Sequence, residues 1–403
     1  MRIPLAIISL ILCVAFCSPP AHALTFAGKE DNLAYVQVQQ LGYDGTGEII
    51  GVIDMQYVRP DHVTFWVSAD CQASRVTKLS DYGGNTGWGD GHANACAGIA
   101  AGRGVGDGTF LGVAPGAQIW SASTSGNEPD IRQAFLDYTT PDVNGKKTQI
   151  FSMSLVADIP DCGTYPFTAF FDWLATNRGA LVAVGTGTSN DKIGLPGGSY
   201  NQLTVGGLNQ SLTAWSPTLG HGPTGDGRSK PDVVAPSSML FLPGQTSPNA
   251  WYQNPYSFDS LAIPFAAGVT AMIKQYGDQH SWAWDPRVAK AVIMNSATKL
   301  PGWTHTDTHP VDEYQGAGRL NAEWAIYEYA AGQQAPGSVA RRGWDLNTAR
   351  RNSPVTYTFS QAAKPGFVIS ATMDWWRYTQ PADDNILGYN WVATKFANLD
   401  LYL

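Results

Sequence analysis

The chain has 403 residues, of which 44% are hydrophobic and 43 are glycine, and it carries a formal net charge of −8. This composition is typical of a globular protein and excludes intrinsic disorder, and the length predicts one large domain with a smaller one. The negative charge excludes a nucleic-acid-binding surface, which requires a basic stripe.

The first segment of the chain has the three parts of a secretory signal peptide. Arg2 precedes an apolar run over residues 3–16, and a small-residue cleavage motif ends at Ala23. A membrane anchor is the alternative, but the apolar run is short for crossing a bilayer. We therefore predict that residues 1–23 are removed and that the protein is secreted without a stable membrane anchor.

Apolar segments of strand length alternate with small-residue segments of helix length along most of the chain. Strands are predicted over Ile49–Ile53, Gln149–Leu155, Leu181–Val184 and Gln202–Val205, and helices over Ala93–Ala101, Phe167–Asn177, Ser260–Tyr276 and Pro286–Ser296. This alternation predicts an α/β fold in which helices cover both faces of a parallel sheet. Functional side chains in such folds lie beyond the carboxyl ends of the strands.

Three separated residues form a candidate nucleophilic triad. Asp54 directly follows the first predicted strand, and His92 precedes a helix of small residues. Ser260 is predicted to open the longest helix, because Pro264 is tolerated only within a first helical turn. The order Asp, His, Ser is one of the known orders of a triad that performs acyl transfer.

The position of Ser260 suits catalysis, although a structural role is also open. A residue at a helix N-terminus lies near free backbone N–H groups and the positive end of the helix dipole, both of which favour a developing oxyanion. A serine that only caps the helix is the alternative.

The cysteines remaining after residue 23 are Cys71, Cys96 and Cys162, an odd number that allows at most one intramolecular disulfide. Cys96 is predicted to be a buried thiol, and a Cys71–Cys162 bridge is open in an oxidising compartment. The chain has no Cys-x-x-Cys pair and no His-Glu-x-x-His helix, so we expect no catalytic metal.

The sequence changes character from about Ala335. Short antiparallel strands are predicted over Val355–Phe359, Phe367–Met373 and Trp391–Ala393, followed by an alternating strand over Asn398–Leu403. Because this last strand has no partner after it, a truncated β-domain is favoured over a minimal one. The pair Trp375-Trp376 could form a sugar platform, but paired aromatics in a β-domain are more often core.

Seven ordered motifs resemble the subtilase (subtilisin-like, S8) family of serine peptidases over roughly residues 40–330. They are Asp54 with Pro60-Asp61, His92 with Gly98, Gly112–Ala117, Met153–Leu155, Lys230–Pro236, Ser260 with Ala262 and Pro264, and Gln315–Ala322. The resemblance implies a subtilisin-like three-layer catalytic domain over residues 24–335. It also implies a partial C-terminal β-sandwich over residues 336–403.

The same resemblance implies a role for each candidate residue. Asp54, His92 and Ser260 would form the triad, and Thr186 with the Ser260 amide would bind the oxyanion. The substrate backbone would pair with Ser154, Leu155 and Val156.

Several positions depart from the family pattern. Asp-Thr/Ser-Gly has become Asp54-Met55-Gln56, and Gly-Thr-Ser has become Phe258-Asp259-Ser260. Thr186 stands where the family has an asparagine that donates to the oxyanion. Asp259 adds a carboxylate that disfavours an oxyanion nearby, and Val156, in place of glycine, would narrow a specificity pocket.

The favoured hypothesis is a monomeric secreted serine endopeptidase that acts on polypeptides and requires no cofactor. A subtilase-fold protein that binds peptides or surfaces without cleaving them is the alternative, supported by the lost glycines, Asp259 and Thr186. Structural calcium is common in the family, but the sequence offers only the weak cluster Asp383-Asp384-Asn385.

Overall fold

The computed structural model describes residues 35–67, 73–84, 91–104, 111–189, 191–238, 240–244, 246–254, 256–350, 353–362, 365–366 and 369–395. The predicted signal segment 1–23, Cys71 and the predicted last strand Asn398–Leu403 lie outside these residues. No helix among the described residues combines the length and the apolar character needed to span a bilayer.

Seven α-helices and one short 3₁₀-helix (Val63–Phe65) form in the described part of the chain. The α-helices are α1 (Tyr35–Gln40), α2 (His92–Ala101), α3 (Glu128–Thr139), α4 (Pro166–Arg178), α5 (Asp259–Gln279), α6 (Pro286–Asn295) and α7 (Ala322–Ala330). The strands of the main sheet are β1 (Ile49–Asp54), β2 (Val76–Tyr82), β3 (Gln118–Thr124), β4 (Ile150–Met153), β6 (Leu181–Gly185), β8 (Leu203–Leu208) and β9 (Val233–Pro236). The remaining strands are β5 (Ala157–Pro160), β7 (Gly194–Leu195), β10 (Leu240–Pro243), β11 (Trp251–Asn254), β12 (Gly337–Val339), β13 (Tyr357–Phe359), β14 (Tyr378–Pro381) and β15 (Trp391–Lys395).

The main sheet has seven strands in the order β2-β3-β1-β4-β6-β8-β9, and every neighbouring pair is parallel. In this register Ile53 pairs with Met153, and Met153 pairs with Val184. The carboxyl ends of β1, β4 and β6 therefore lie side by side. Residues 54, 154 and 186, which follow these paired positions, are brought to one edge of the sheet.

Helices cover both faces of the sheet. Successive strand residues point to opposite sides, and both sides of the buried strands carry apolar side chains that need a covering layer. From β1, Ile50 and Val52 pack into one hydrophobic core with α2, α5, α6 and α7. Ile49 and Ile53 pack into a second core with α3 and α4. The predicted three-layer α/β fold is therefore confirmed.

All eight strands and helices predicted from the apolar alternation are present, with ends that differ by a few residues. The sequence missed β2, a strand at the sheet edge of which only the two end residues are buried. It also missed β3, where serine and threonine interrupt the apolar run although they are buried. The predicted strand Phe367–Met373 is wrong, because residues 369–373 form no strand.

The strands of the C-terminal region form two separate pairs. β14 pairs in antiparallel fashion with β15, as predicted for Trp391–Ala393. β12 pairs in parallel with β13, so the antiparallel pairing predicted for Val355–Phe359 is wrong. The β14–β15 ribbon lies against α4: the ring of Trp391 contacts Phe170 and Trp173 at centroid distances of 6.0 and 6.4 Å. The Thr379 hydroxyl donates to the Ala169 carbonyl at 2.7 Å.

A buried ion pair joins the start of this ribbon to α4. The Arg377 Nη1 lies 3.1 Å from an Asp172 carboxylate oxygen, and the Asp172 side chain is fully buried. Burial raises the pKa of Asp172, whereas Ser199 and the Arg377 charge oppose that rise by stabilising the carboxylate. The Asn201 side chain also bonds the N–H and the carbonyl of Arg377 at 2.9 and 2.7 Å.

Replacing Arg377 by methionine should lower the free energy of unfolding by about 3 kcal/mol, because it leaves a buried carboxylate without its cation. Urea unfolding followed by circular dichroism at neutral pH measures this change. The exposed Asp383→Asn variant in the same ribbon is the control and should change stability little. A loss below about 1 kcal/mol for the Arg377 variant would contradict the assigned role of the pair.

Candidate active site

A buried carboxylate and a histidine meet at the carboxyl end of β1. Asp54 is the last residue of β1 and is 2% exposed. Its Oδ2 lies 2.7 Å from Nδ1 of His92, and its Oδ1 accepts the Met55 N–H at 2.7 Å. His92 opens α2 directly after Gly91, whose φ of 98° makes the sharp turn that a side chain would oppose.

Ser260 lies at the start of α5, as predicted, although the reason inferred from the sequence was wrong. The helix begins at Asp259, so Pro264 falls in its second turn rather than its first. Proline has no N–H, and in a helix that N–H would bond the carbonyl four residues earlier, which belongs to Ser260. The carbonyl instead accepts the Ser154 hydroxyl at 3.0 Å and the Cys96 thiol at 3.4 Å.

Cys96 connects the two halves of the site. It is fully buried, as predicted, and its Sγ lies 3.3 Å from the Ser154 hydroxyl. One ligand-type atom from each of Asp54, His92 and Cys96 lies within 4.8 Å of the others. The pairing of His92 with Asp54 accounts for two of these groups without a metal ion. The Cys96 thiol thus lies close to both the Asp54–His92 pair and the Ser260 carbonyl.

Thr186 follows β6 at the same edge of the sheet. Its side chain is fully buried, and its hydroxyl makes no hydrogen bond with the described residues. In this conformation the hydroxyl does not face the surface. The role of Thr186 as an oxyanion donor stays a prediction that requires its side chain to turn.

The carboxylate of Asp259 occupies the space beside Thr186. Its Oδ2 accepts the Gly187 N–H at 2.7 Å, and its Oδ1 accepts the Ser260 N–H at 2.9 Å. Gly185 leaves room for this side chain, since a Cβ there would overlap the carboxylate. Burial raises the pKa of Asp259, whereas the Gly187 and Ser260 N–H groups lower it. The Ser260 amide predicted to bind an oxyanion is therefore already bonded to this carboxylate.

The predicted substrate-binding residues Ser154, Leu155 and Val156 follow β4 as an irregular segment. Val156 lies close to the segment that follows β6, because its Cγ1 would lie within 4 Å of a Cβ placed on Gly187 or Gly194.

Asp158 also links the segment after β4 to the segment after β6, since its carboxylate accepts the Thr188 hydroxyl at 3.0 Å and the Thr188 N–H at 3.2 Å. No local pattern in the sequence signals this link between residues far apart in the chain.

Other candidate positions have simpler surroundings. Cys162 is partly buried and forms no disulfide with the described residues, and Cys71, with which the sequence left a bridge open, lies outside them. Asp383 in the weak acidic cluster accepts the Asn390 side-chain amide at 3.0 Å. The guanidinium of Arg287 lies 4.7 Å from the ring centroid of Trp376.

A model of the subtilase family matches residues 45–318, which is most of the chain. Among proteins of known function, the serine protease AprX of Bacillus subtilis is 28% identical over 270 residues, covering 59% of this chain and 58% of AprX. Thermitase of Thermoactinomyces vulgaris is 27% identical over 240 residues, covering 59% of this chain and 75% of thermitase. Pyrolysin of Pyrococcus furiosus is 26% identical over 267 residues, covering 57% of this chain but 18% of pyrolysin. The chain thus spans less than two thirds of the length of AprX and pyrolysin.

Solved structures share the fold. The prenylagaramide maturation protease PagA superposes with a TM-score of 0.56 at 18% identity, covering 73% of this chain and 98% of PagA. The self-cleaved protease domain of PatA gives a TM-score of 0.53 at 18% identity, covering 70% of this chain and 97% of that domain.

Ser154→Ala should lower the free energy of unfolding by about 1 kcal/mol, because the Ser260 carbonyl, which has no N–H partner within the helix, loses its hydroxyl donor. In a Pro264→Ala background the same change should cost less, since the N–H of the introduced alanine can bond that carbonyl within the helix. Chemical unfolding of the four proteins of this double-mutant cycle measures the difference. Equal costs in both backgrounds would contradict the role assigned to Pro264.

Proposed function

The chain belongs to the subtilase family of peptidases, and we propose that it is a secreted serine endopeptidase whose triad is Asp54, His92 and Ser260. The observation that carries the proposal is the 2.7 Å hydrogen bond between the buried Asp54 carboxylate and the part-exposed His92, beside the anchored backbone of Ser260. Secretion rests on the signal-like segment 1–23, and we propose that the enzyme acts as a monomer without a required cofactor.

The proposed reaction begins with His92. Its Nδ1 lies against Asp54, so a proton on Nδ1 is held there and Nε2 is left to accept the Ser260 proton. The Ser260 oxygen then attacks a peptide carbonyl, and the negative charge of Asp54 stabilises the imidazolium that forms. His92 returns the proton to the leaving amine, which produces an acyl-enzyme.

Hydrolysis of the acyl-enzyme by water would complete the catalytic cycle, with His92 and Ser260 acting again. His92 takes a proton from a water molecule, the resulting hydroxide attacks the acyl-enzyme, and Ser260 leaves with the proton restored. The Ser260 N–H and, after rotation, the Thr186 hydroxyl would stabilise the negative oxygen formed in both steps. Loss of one such donor typically costs about 10²–10³ in rate.

Substrate would bind as an added strand along Ser154, Leu155 and Val156, the mode known as β-augmentation. The branched side chain of Val156 lies close to Gly187 and Gly194, and Asp158 ties this segment to Thr188. A pocket between these segments would be narrow. We therefore propose a preference for a small side chain on the acyl side of the cleaved bond.

A second candidate function is a subtilase-fold protein that binds peptides without cleaving them. It is favoured by the Asp259 carboxylate, which bonds the Ser260 N–H that would otherwise stabilise an oxyanion. The full set of triad residues favours the enzyme instead, because a binding protein needs no hydrogen bond between Asp54 and His92.

Treatment of the secreted protein with a fluorophosphonate serine-hydrolase probe should give a single adduct on Ser260, measured by intact mass and peptide mapping. Ser260→Ala and heat-unfolded protein should give no adduct, and Asp54→Asn should react about 10⁴-fold more slowly because the imidazole loses its orienting carboxylate. Circular dichroism checks that the variants are folded. A folded native protein without any adduct would leave only the binding function.

Val156→Gly should broaden cleavage toward larger side chains, since it removes the group that narrows the pocket. With peptide substrates that differ only at the residue before the cleaved bond, kcat/KM for phenylalanine relative to alanine should rise at least about tenfold. Val143→Gly, at a fully exposed valine, is the matched control. An unchanged kcat/KM ratio would show that Val156 does not limit the size of the specificity pocket.

A further inference from the structure

The Asp259 side chain is placed where a charge would oppose the proposed reaction. The residue is 4% exposed, and its carboxyl group accepts the N–H groups of Gly187 and Ser260. Ser260 N–H is the nucleophile's own backbone donor, so the carboxylate and a reaction oxyanion compete for one hydrogen bond. Two negative charges at hydrogen-bond distance from one N–H repel each other strongly in a buried site.

Protonation changes what this side chain can do. A neutral carboxyl group carries no charge to repel the oxyanion, and it gains one O–H donor. A carboxylic acid that stays neutral in an apolar site can donate to a negative oxygen during catalysis. The same atoms that block the site as an anion would therefore support the reaction as an acid.

We propose that Asp259 is a proton-gated member of the oxyanion site, which closes the site when ionised and opens it when protonated. The proposal rests on the proposed peptidase function and adds a residue and a mode of regulation to it. It also gives a reason why the asparagine donor of the family is replaced by a buried threonine, since the acid at position 259 would supply the missing donor.

The charged groups around Asp259 set the pH at which this gate operates. Burial is the main cause that raises the pKa of the carboxyl group, and Asp158 of β5 raises it further. The N–H groups of Gly187 and Ser260 lower it, and so does His92 on α2 when its imidazole is protonated. Asp54 is hydrogen-bonded to His92. The net direction is upward, so the acid form persists to a higher pH than for an ordinary aspartate.

The sign of the pH effect follows from two separate requirements. His92 must be neutral to accept the Ser260 proton, so the reaction slows as pH falls. Asp259 must be protonated, so the reaction slows again as pH rises through its pKa. The native protein is expected to show a bell-shaped profile, whereas a protein without the carboxyl group should keep only the acidic limb.

The test uses the fluorophosphonate probe, whose phosphoryl oxygen takes the place of the oxyanion. The Ser260 oxygen forms a bond to phosphorus, fluoride leaves with the electron pair of the P–F bond, and His92 receives the serine proton. Labelling rates are measured from pH 5 to 10 for the native protein and for Asp259→Asn and Asp259→Thr. The asparagine is a neutral analogue of the acid, and threonine is the residue of the family motif.

At pH 9 the Asp259→Asn and Asp259→Thr proteins should label about 10²-fold faster than the native protein, in line with the effect of one oxyanion contact. Asp191→Asn is the matched control, because it removes an exposed carboxylate and should keep the native profile. Asp158→Asn should move the alkaline limb to lower pH, since it removes a negative charge that favours the acid form.

Each outcome decides the proposal. Loss of the alkaline limb in either folded Asp259 variant supports it. Labelled variants whose profiles superimpose on the native one overturn it and leave the peptidase function standing. A native profile that rises to a plateau at high pH also overturns it, and this result does not depend on whether any variant folds. Absence of labelling in every protein at every pH overturns the gate together with the function.

Discussion

The site depends on how the first turns of α5 are attached to the sheet. Pro264 prevents the Ser260 carbonyl from bonding within the helix, and the Ser154 hydroxyl and Cys96 thiol take that carbonyl instead. Because α5 is buried along most of its length, this attachment sets both the depth and the rotation of Ser260. Because Pro264 has no N–H, the Ser260 carbonyl is free to bond Ser154 after β4 and Cys96 on α2, and these two bonds connect α5 to both elements.

This attachment has a chemical consequence at the neighbouring residue. The turn that presents Ser260 also directs Asp259 inward, where it bonds the N–H groups of Gly187 and Ser260. A threonine at this position would add no charge. An aspartate brings a carboxyl group to these hydrogen bonds, so the turn that positions Ser260 also sets the charge beside it.

Much of the fold and the positions of the triad candidates could be predicted from the sequence, because buried parallel strands such as Ile49–Asp54 form continuous apolar runs. Edge strand Val76–Tyr82 could not, since only its ends are buried. The order of motifs identified Asp54, His92 and Ser260, but spacing along the chain does not reveal side-chain direction. The inward turn of Asp259, the burial of Thr186 and the Asp158–Thr188 link depend on contacts between distant segments, which local propensities do not encode.

The pair formed by Asp172 and Arg377 has a consequence for the kinetics of folding. The two residues are 205 positions apart in the chain, and contacts of such long range form late because a large loop must close first. During synthesis, α4 emerges well before the ribbon whose Trp391 contacts Phe170 and Trp173. The side chains of α4 that the ribbon covers therefore stay exposed to water and to other chains for that interval, and transiently exposed apolar surface of this kind favours aggregation.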